Sequence, residues 1–381
     1  MSFRFFPIFA KNLKLHKYYS TVCSEFNVSK LTNKAFLRLS GVDAFSFVQT
    51  FVTNDIRRLQ NDGCIYGFVL NINSRILADL FIYRLNDRLQ LSERELVLNE
   101  TSKDRFVQSK GDSYDQLLIE CDSNLCKSIA KTFFAHKLRK DVKIEFANEY
   151  SVWAVFPNNI LKNQHLPSFQ LTSNDFIFVR DPRLTSFGYR FVAKLNSNHL
   201  NTSSIVKNMV HSQIRESNLR DYRRYRFKLG IAEGFDDFGH ARMFILESNA
   251  HLLNATNDRK GLFIGEKMTS RILKSEKIRR RIMPIKFERV NSDVFSGSLI
   301  TSFDERPVGS VVSVDDKYGL ALLSSSHAEK ECELLHPHSK QLLSTHIPFW
   351  WSLENNSSSQ GFLSEQRHEI EKVNNFRIKP E

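Results

Sequence analysis

The stretch LRLSGVDAFSFVQTFVTNDI, Leu37–Ile56, predicts a strand followed directly by a helix. Phe36–Ser40 is typical of a strand. Ser40 and Asp43 then stand at the spacing of a capping box, which marks the start of a helix. Apolar residues recur at helical spacing and so share one helix face; they are Ala44, Phe47, Val48, Phe51 and Val52. Thr53-Asn54-Asp55 ends the predicted helix.

Outward from this stretch, predicted strands and helices alternate along the chain. Tyr66–Ile72 and Ile76–Leu85 predict a strand pair joined by a tight connection at Asn73-Ser74. Further β patterns occur in LQLSE and LVLNE (between residues 89 and 100), Leu117–Cys121, Val142–Phe156 and Phe176–Arg180. Ser123–Leu138 and Ser203–Lys228 predict helices, and the second is strongly basic. This interleaving of strands and helices favours an α+β fold.

The character of the sequence changes near Arg279. Short strands separated by turn residues follow one another at roughly ten-residue spacing, which indicates a small β-barrel or sandwich. They are IMPIKFERV, SGSLITSF, PVGSVVSV and GLALLSS. We therefore predict a leader and linker (residues 1–30), an α+β region (31–275), a C-terminal β-barrel domain (276–350) and a polar tail (351–381).

The composition is that of a globular protein with a basic surface. Of 381 residues, 41% are hydrophobic and 32 are Phe, which argues against global disorder. No stretch approaches the ~20 apolar residues of a membrane-spanning helix. The net charge of +12 suits an anionic partner, such as nucleic acid, anionic lipid or a polyanionic small molecule, or else a solvated face without a partner. The GxGxxG, Walker, GxSxG and HExxH motifs are absent.

The first 24 residues contain no acid. Their four cations, Arg4, Lys11, Lys14 and Lys17, are interleaved with Phe and Leu, and hydroxyl residues follow. This composition is typical of a mitochondrial transit peptide, and the alternative is a basic terminus with no targeting role. We predict import into the mitochondrial matrix and exclude residues up to about 25–30 from the fold.

The five cysteines do not form a disulfide framework or a strong metal motif. Cys121 and Cys126 are a single C-x4-C pair without a matching second pair, which argues against structural zinc. A loose cluster of possible ligands comprises Cys332, His336, His338 and His346, but its spacing is not specific, and we assign no metal ligand. Scattered thiols fit a reducing compartment.

Asp79 lies inside the apolar strand ILADLFIYRL. A buried carboxylate must be paired, hydrogen-bonded or turned to a cavity, because an unpaired buried charge is costly. Such acids concentrate at functional sites. The alternatives are a strand end facing solvent or a structural ion pair with a residue such as Arg75.

Leu246–Ile272 is a polar, glycine-containing segment unlike a core element. Glu247, Asn249, Asn254 and Asn257 give it a polar run, and Thr269 and Arg271 fall on a predicted helix. In between, Lys260-Gly261 and Ile264-Gly265 place flexible backbone where N–H groups can approach a ligand. Any glycine turn before a helix has the same spacing, so the pattern alone is weakly specific.

The segment Arg215–Gly234 interleaves arginines with Tyr222, Tyr225 and Phe227. Arginines and aromatic rings together are the composition of an RNA-binding surface, here residues 215–228. The alternative is an amphipathic helix with its tyrosines buried and its arginines solvated.

Five segments resemble, in order, the YgfZ/GcvT-related folate-binding family. They are Leu37–Ile56, Asn71–Arg84, Gly230–Gly234 (GIAEG), Ile245–Asn254 and KGLFIGEKMTSR from Lys260, and together they span most of residues 32–325. The family signature is K-G-C-Y-x-G-Q-E. With the leader, the sequence is most similar to the mitochondrial iron–sulfur cluster assembly factors of the Iba/Caf type within this family.

The resemblance implies a fold and a function. The fold is that of the glycine-cleavage T-protein: α+β domains around a central folate cleft, plus a C-terminal β-barrel. The function is a late step in making 4Fe–4S clusters, with A-type ISCA scaffold proteins as partners and tetrahydrofolate as ligand. Asp79 matches the acid placed against the pterin, and Glu233 matches a second cleft acid less closely. The candidate cofactor-binding residues are Asp79, Glu233, Glu247, Asn249, Lys260, Gly261, Gly265 and Arg271.

The chain departs from the family at the signature loop. Leu262 replaces the signature cysteine, while Glu266 and Lys267 replace Gln and Glu. Leucine can neither bind iron nor act as a nucleophile, as a thiolate does. Either the thiol is dispensable here, or another cysteine such as Cys64 substitutes, or the chain is a pure scaffold. A folate-dependent aminomethyl-type transferase and a basic RNA-binding or modification factor are the alternative functions.

Overall fold

A computed structural model describes residues 23, 25–85, 116–162, 164–168, 170–173, 175–195, 202–257, 260–274, 278–289, 294–328, 332–336 and 341–351. Within these ranges two sheets, a closed barrel and several helices make up the molecule. The β-patterned segments between residues 89 and 100 and the polar tail from residue 352 lie outside them.

The first sheet has five antiparallel strands in the order β3-β4-β5-β2-β6. Its strands are β2 (Lys34–Ser40), β3 (Cys64–Leu70), β4 (Ile76–Leu85), β5 (Gln116–Asp122) and β6 (Lys143–Phe146). Every residue of β3 is buried, because the sheet is covered on both faces. The strands predicted at Tyr66–Ile72, Ile76–Leu85 and Leu117–Cys121 are confirmed as β3, β4 and β5.

Two helices cover the outer face of this sheet: α1 (Ala44–Gln49) and α3 (Ser123–Lys137). The predicted apolar stripe of the first helix is buried throughout. However, α1 ends at Gln49 rather than at Thr53, so Phe51 and Val52 pack from the turn after it. The predicted capping box is wrong: Asp43 is the N-cap residue, but its carboxylate accepts from the Asp141 amide (2.9 Å).

The second sheet has six strands in the order β11-β1-β7-β10-β9-β8. They are β1 (Glu25–Lys30), β7 (Tyr150–Pro157), β8 (Gln170–Thr172), β9 (Phe176–Arg180), β10 (Tyr189–Lys194) and β11 (Gln213–Ser217). Helix α4 (Thr202–Val210) packs on its outer face. Because β1 lies between β7 and β11 with Phe26 fully buried, the exclusion of residues 25–30 from the fold is wrong.

The basic segment predicted as one helix is two helices separated by a strand. Thr202–Val210 ends before β11, and α5 (Leu219–Leu229) begins after it. Asn218 and Asp221 form a capping box at the start of α5, and Gly230 ends it with a φ of 74°. Parallel pairing of Gln213–Ser217 with β1 overrides the helical pattern across this stretch.

The C-terminal strands close into a barrel in the order β12-β15-β14-β13-β16-β17. They are β12 (Arg280–Phe287), β13 (Leu299–Thr301), β14 (Pro307–Asp315), β15 (Tyr318–Ser324), β16 (Cys332–His336) and β17 (Gln341–Thr345). The predicted barrel is confirmed. Trp350 attaches it to α5 by donating its indole N–H to the Leu229 carbonyl (2.8 Å).

The inner faces of both sheets, α5 and the barrel share one hydrophobic core. The short elements that complete the description are α2 (Leu59–Asp62), α6 (Phe235–Phe238), α7 (Glu266–Lys274), α8 (Ser325–Ala328) and 3-10 turns at Ile56–Arg58 and Ile245–Ser248. In the described part of the chain, no helix has the length and apolar character needed to span a membrane.

Candidate functional site

The inner faces of the two sheets carry a buried network of charged side chains. Asp79 on β4 and Glu120 on β5 lie on the five-stranded sheet, and Arg190 on β10 lies on the six-stranded sheet. Arg183, between β9 and β10, and Glu233, after α5, complete the group. All five are buried. Charges at this depth require partners, because desolvation is costly.

Glu233 lies at the centre of this network. Its carboxylate is 2.8 Å from Lys34 Nζ and 2.6 Å from Arg183 Nη1, and it accepts a hydrogen bond from Tyr222 (2.7 Å). Burial by itself raises the pKa of a carboxyl, but Lys34 and Arg183 prevail and hold the pKa of Glu233 well below its usual range. Glu233 is therefore ionised, and its carboxylate is bound to side chains of the fold.

Two further ion pairs surround Glu233. Arg183 also binds Asp181 (2.8 Å), and Arg190 binds Glu120 (2.6 Å). Tyr83 donates its hydroxyl hydrogen to Glu120 at 2.7 Å. Each of these acids thus has a guanidinium partner at contact distance, which offsets the cost of burial.

Asp79 differs from its neighbours. It accepts hydrogen bonds from the Gly234 amide (3.1 Å) and from the Tyr66 hydroxyl (3.2 Å). Within the described residues it has no ion pair at 4 Å or less. Burial raises the pKa of Asp79, and the charge of Glu233 raises it further, while Lys34 and Arg183 oppose the shift. The environment therefore pushes the pKa values of the two acids apart, as it does in acid–base sites.

The Asp79 region has unused hydrogen-bonding capacity. A carboxyl group offers about four acceptor positions, and two are occupied in Asp79. On the opposite sheet, the Nε–H of Arg190 is buried without a hydrogen-bond partner. The inner faces of the two sheets thus carry one acceptor group and one donor group with hydrogen-bonding capacity to spare.

The predicted loop residue Lys260 is turned into the protein. Its ammonium donates to the carbonyls of Gln49 (2.5 Å), Asn54 (3.2 Å) and Val52, at the end of α1. Burial lowers the pKa of Lys260 to about 8. These contacts fasten the start of the loop to the outer layer of the five-stranded sheet.

Gly265 fastens the other end of the loop. Its carbonyl accepts from the Ser74 hydroxyl, and Thr269 donates to Ser74 Oγ (3.1 Å). The glycine has a φ of 87°, and a Cβ there would come within 2.7 Å of the Asn71 carbonyl oxygen. Only glycine fits this contact with the turn between β3 and β4.

Leu262 lies between these two anchors and is 83% exposed. Gly261, beside it, has open space where a side chain would stand. Arg271 is exposed on α7. The loop therefore has a fixed shape and presents the position of the signature cysteine to solvent.

Glu247 and Asn249 contact the barrel. Glu247 forms an ion pair with Arg280 (2.8 Å) and accepts from the Phe244 amide. Asn249, with a φ of 61°, donates to the Ile282 carbonyl (2.9 Å) and accepts from Arg281. Glu247 and Asn249 therefore join the α+β region to β12. The direct contact between predicted site regions lies elsewhere, where Asp79 accepts a hydrogen bond from the peptide between Glu233 and Gly234.

Sequence reasoning missed most of the cations and acids around Glu233. The missed residues are Lys34, Glu120, Asp181, Arg183 and Arg190. Glu120 and Arg190 carry the same signal that singled out Asp79, a charge within an apolar strand. The rule that a charge within an apolar strand marks a candidate site would therefore have found Glu120 and Arg190, as it found Asp79.

The aromatic residues of the basic segment are not available to stack on bases. Tyr222, Tyr225 and Phe227 are buried, and Arg226 is buried against Asp237 (2.7 Å). Arg220 and Arg224 form ion pairs with the barrel residues Asp315 and Asp316. The alternative with inward tyrosines is confirmed, but the arginines bind the barrel rather than water alone.

Cys23, Cys64, Cys121 and Cys126 are free and buried. Among the described residues, no three His, Cys, Asp or Glu side chains are grouped so as to hold a metal ion. The side chains of Cys332 and His336, and the whole of His338, lie outside the described part. Burial raises the pKa of Cys64, so this thiol is a poor substitute for an exposed thiolate.

Comparison with known proteins places these features in a family. Residues 279–353 match the model of the CAF17 C-terminal beta-barrel domain. The chain is 25% identical to the mitochondrial iron–sulfur cluster assembly factor IBA57 of Mus musculus over 334 residues, which is 84% of each chain. The Homo sapiens protein of the same name gives the same identity and coverage. The chain is similar in sequence to the Iba/Caf proteins.

The fold of this Iba/Caf relative is that of the glycine-cleavage T-protein. The crystal structure of glycine cleavage system aminomethyltransferase T from Bartonella henselae superposes with a TM-score of 0.62 at 13% identity. The match covers 88% of this chain and 89% of the other. The predicted fold class and family resemblance are both confirmed. In this Iba/Caf relative the exposed loop position is Leu262, and the buried acids Asp79 and Glu233 lie inside the fold.

Proposed function

We propose that this protein is a mitochondrial iron–sulfur cluster assembly factor that acts late, in the maturation of 4Fe–4S proteins. The observation that carries the proposal is the match to relatives named for cluster assembly over 84% of both chains. The acid-free, basic first 24 residues support import into the matrix. The iron–sulfur cluster is cargo in this proposal and not a resident cofactor.

The ligand we propose for the buried network is tetrahydrofolate. Asp79 would accept hydrogen bonds from pterin N–H groups, and Arg190 Nε would donate to an acceptor of the ring. Bound tetrahydrofolate supplies a carrier for one-carbon units. The contribution of the protein is to orient the ring between the two sheets. Burial and the charge of Glu233 raise the pKa of the Asp79 carboxyl. The Tyr66 hydroxyl and the Gly234 amide hold that carboxyl in position.

Cluster ligands must come from outside the signature loop. Leu262 cannot bind iron, although its exposure leaves the loop open to a second protein. We therefore propose that A-type ISCA scaffold proteins supply the cluster and its thiolates, while this chain supplies a shaped surface. The fixed backbone between Lys260 and Gly265 suits such a role, because a preformed surface loses little entropy on binding.

A rescue experiment tests the proposal. Cells lacking their own mitochondrial factor receive the unmodified chain or the Leu262→Cys chain, with import and expression verified. A matrix 4Fe–4S enzyme such as aconitase is assayed beside a 2Fe–2S control enzyme. We expect the unmodified chain to restore the 4Fe–4S enzyme selectively. Rescue by Leu262→Cys alone would show that this chain has lost a required ligand, and failure of both imported forms would contradict the assembly function.

A folate-dependent aminomethyl-type transferase is the second candidate. It is supported by the T-protein fold and by an acid pair whose pKa values are pushed apart. Purified protein that transfers a methylene unit to or from tetrahydrofolate, with loss of the activity in Asp79→Asn, would favour this function. Absence of turnover with tight folate binding would favour the assembly factor.

A further inference from the structure

The outer surface of α3 and the turn after it combine exposed apolar side chains with cations. We call the residues Lys127, Lys131, Phe134, Leu138 and Arg139 the α3 surface. From Ser123 through Lys140 the sequence contains no Asp or Glu. Phe134 is 53% exposed and Leu138 is 86% exposed. Side chains of this size are normally buried, so their exposure together requires an explanation.

Helical spacing explains how these residues come to lie side by side. Positions 127, 131 and 134 follow one another at steps of four and three, which places them on one face of α3, and Leu138 follows at the C-cap with a φ of 49°. The opposite face packs on the five-stranded sheet through Leu125, Cys126, Ile129, Ala130 and Phe133. Among the described residues, the inner stripe of α3 is buried against the sheet, whereas Phe134 and Leu138 stay exposed.

The cations of this surface are not used by acids of the same chain. Within the described residues, Lys127, Lys131, Lys137 and Arg139 form no ion pair at 4 Å or less. The arginines of α5 are different, since Arg220 and Arg224 bind Asp315 and Asp316. Part of the net charge of +12 is thus concentrated around Phe134 and Leu138, and it is not paired with acids in the part of the chain that the structure describes.

We propose that the α3 surface docks the protein on an anionic lipid bilayer. Lysine and arginine at a membrane surface attract anionic headgroups, while Phe and Leu side chains enter the boundary of the acyl region. The cations and the exposed apolar side chains of the α3 surface thus both favour an anionic lipid bilayer as the partner. Nucleic acid explains the cations, but its phosphate backbone offers no apolar environment for the exposed Phe134 and Leu138.

The geometry leaves the buried network available while the protein is docked. α3 covers the outer face of the five-stranded sheet, whereas Asp79 and Glu120 lie on the inner face. Membrane attachment at the α3 surface would therefore not occlude Asp79. The inference stands on the α3 surface alone and does not depend on the proposed cluster-assembly function.

Vesicle co-sedimentation of the full chain tests the inference. One set of vesicles contains phosphatidylcholine only, and the other contains equal parts phosphatidylcholine and phosphatidylglycerol. We expect binding to the anionic vesicles alone. Lys131→Gln with Arg139→Gln should weaken it by about 25-fold, at about fivefold for each cation removed. Phe134→Ser with Leu138→Ser should weaken it also at physiological salt, where electrostatic adsorption is screened.

Matched controls come from the barrel. Lys286→Gln with Lys317→Gln removes the same charge from exposed positions, and Phe295→Ser with Phe303→Ser removes equally exposed rings (68% and 61%). Both controls should bind like the unmodified chain. Thermal unfolding followed by circular dichroism verifies that each variant is folded. Equal loss in the barrel variants, no binding to anionic vesicles, or tighter binding of a labelled RNA than of vesicles by the same α3 residues would overturn the inference.

Discussion

The amide of Gly234 donates a 3.1 Å hydrogen bond to the carboxyl group of Asp79, and thereby joins a strand of the five-stranded sheet to the segment that follows α5. The preceding residue, Glu233, is held by Lys34 and Arg183. The Glu233–Gly234 peptide therefore connects Asp79, which has no ion pair among the described residues, to Glu233, which is paired with Lys34 and Arg183. This contrast supports the proposal that Asp79 is a functional acid.

Asp79→Asn should change the pH dependence of stability. The folded pKa of Asp79 lies above its usual value, so the folded protein holds a proton that the unfolded chain releases. The stability this contributes is complete below about pH 4 and is lost as the pH rises through the raised pKa. Asparagine does not titrate, so the variant should gain stability relative to the unmodified chain as the pH rises from about 4 through the raised pKa of Asp79.

The measurement for Asp79→Asn is urea unfolding across that pH range. A stability difference between variant and unmodified chain that stays flat with pH would contradict the assignment. In parallel, tetrahydrofolate binding by the variant, measured by calorimetry, should weaken about ten- to a hundredfold, as loss of a hydrogen bond to a charged or acidic partner does. Unchanged affinity would remove Asp79 from the proposed ligand site.

Arg190→Met should be strongly destabilising. The substitution leaves Glu120 buried without its cation, and breaking a buried pair costs about 3–5 kcal/mol. Arg220→Met is the matched control, because Arg220 is 61% exposed and solvent screens its pair with Asp315, so that the pair should contribute little to stability. Urea unfolding of both variants gives the comparison. Similar losses in the two would show that the buried network is not a principal source of stability.

Much of the α+β core and barrel could be predicted from sequence because their patterns are local. Alternating or continuous apolar runs marked β3, β4 and β5, and helical spacing marked α1 and α3. The strand Gln213–Ser217 was missed because its stability comes from pairing with β1, almost two hundred residues away in the sequence. Glu25–Lys30 was missed for the same reason, since the leader composition masked a strand whose partners are remote.

The candidate site was harder to predict than the fold. Asp79 was found because a charge interrupts an apolar strand, but Arg183, whose charge acts on its pKa, is brought close only by the packing of the second sheet. Lys260 illustrates the opposite case. Its position beside glycine suggested a ligand contact, whereas its ammonium caps the backbone carbonyls at the end of α1. Sequence gives residue type and spacing, but not the direction in which a side chain points.

Gly265→Ala should cost more than Gly261→Ala. Both glycines have positive φ, at 87° and 89°, so each substitution carries backbone strain of about 1 kcal/mol or more. At Gly265 the new methyl group would also meet the Asn71 carbonyl oxygen at 2.7 Å, whereas at Gly261 there is open space. We expect losses of about 2–3 and about 1 kcal/mol, measured by chemical unfolding. Equal losses would show that the loop is not packed on the β3–β4 turn.

Leu262→Cys should leave stability within about 0.5 kcal/mol of the unmodified chain, because the side chain is exposed. The new thiol should react with a maleimide reagent much faster than the buried Cys64, Cys121 and Cys126. Counting fast-reacting thiols in the two proteins by mass spectrometry checks this. If the variant shows no additional fast thiol, the loop does not present position 262 to solvent.

The most direct test of the account is rescue of factor-deficient cells by the Asp79→Asn chain beside the unmodified chain. Aconitase activity, normalised to a 2Fe–2S enzyme, is measured at equal matrix levels of the two proteins. We expect aconitase activity to recover selectively with the unmodified chain. With Asp79→Asn we expect no recovery, even though that variant is folded. Equal recovery with both chains would contradict the claim that the buried acid facing Gly234 is the functional centre of this protein.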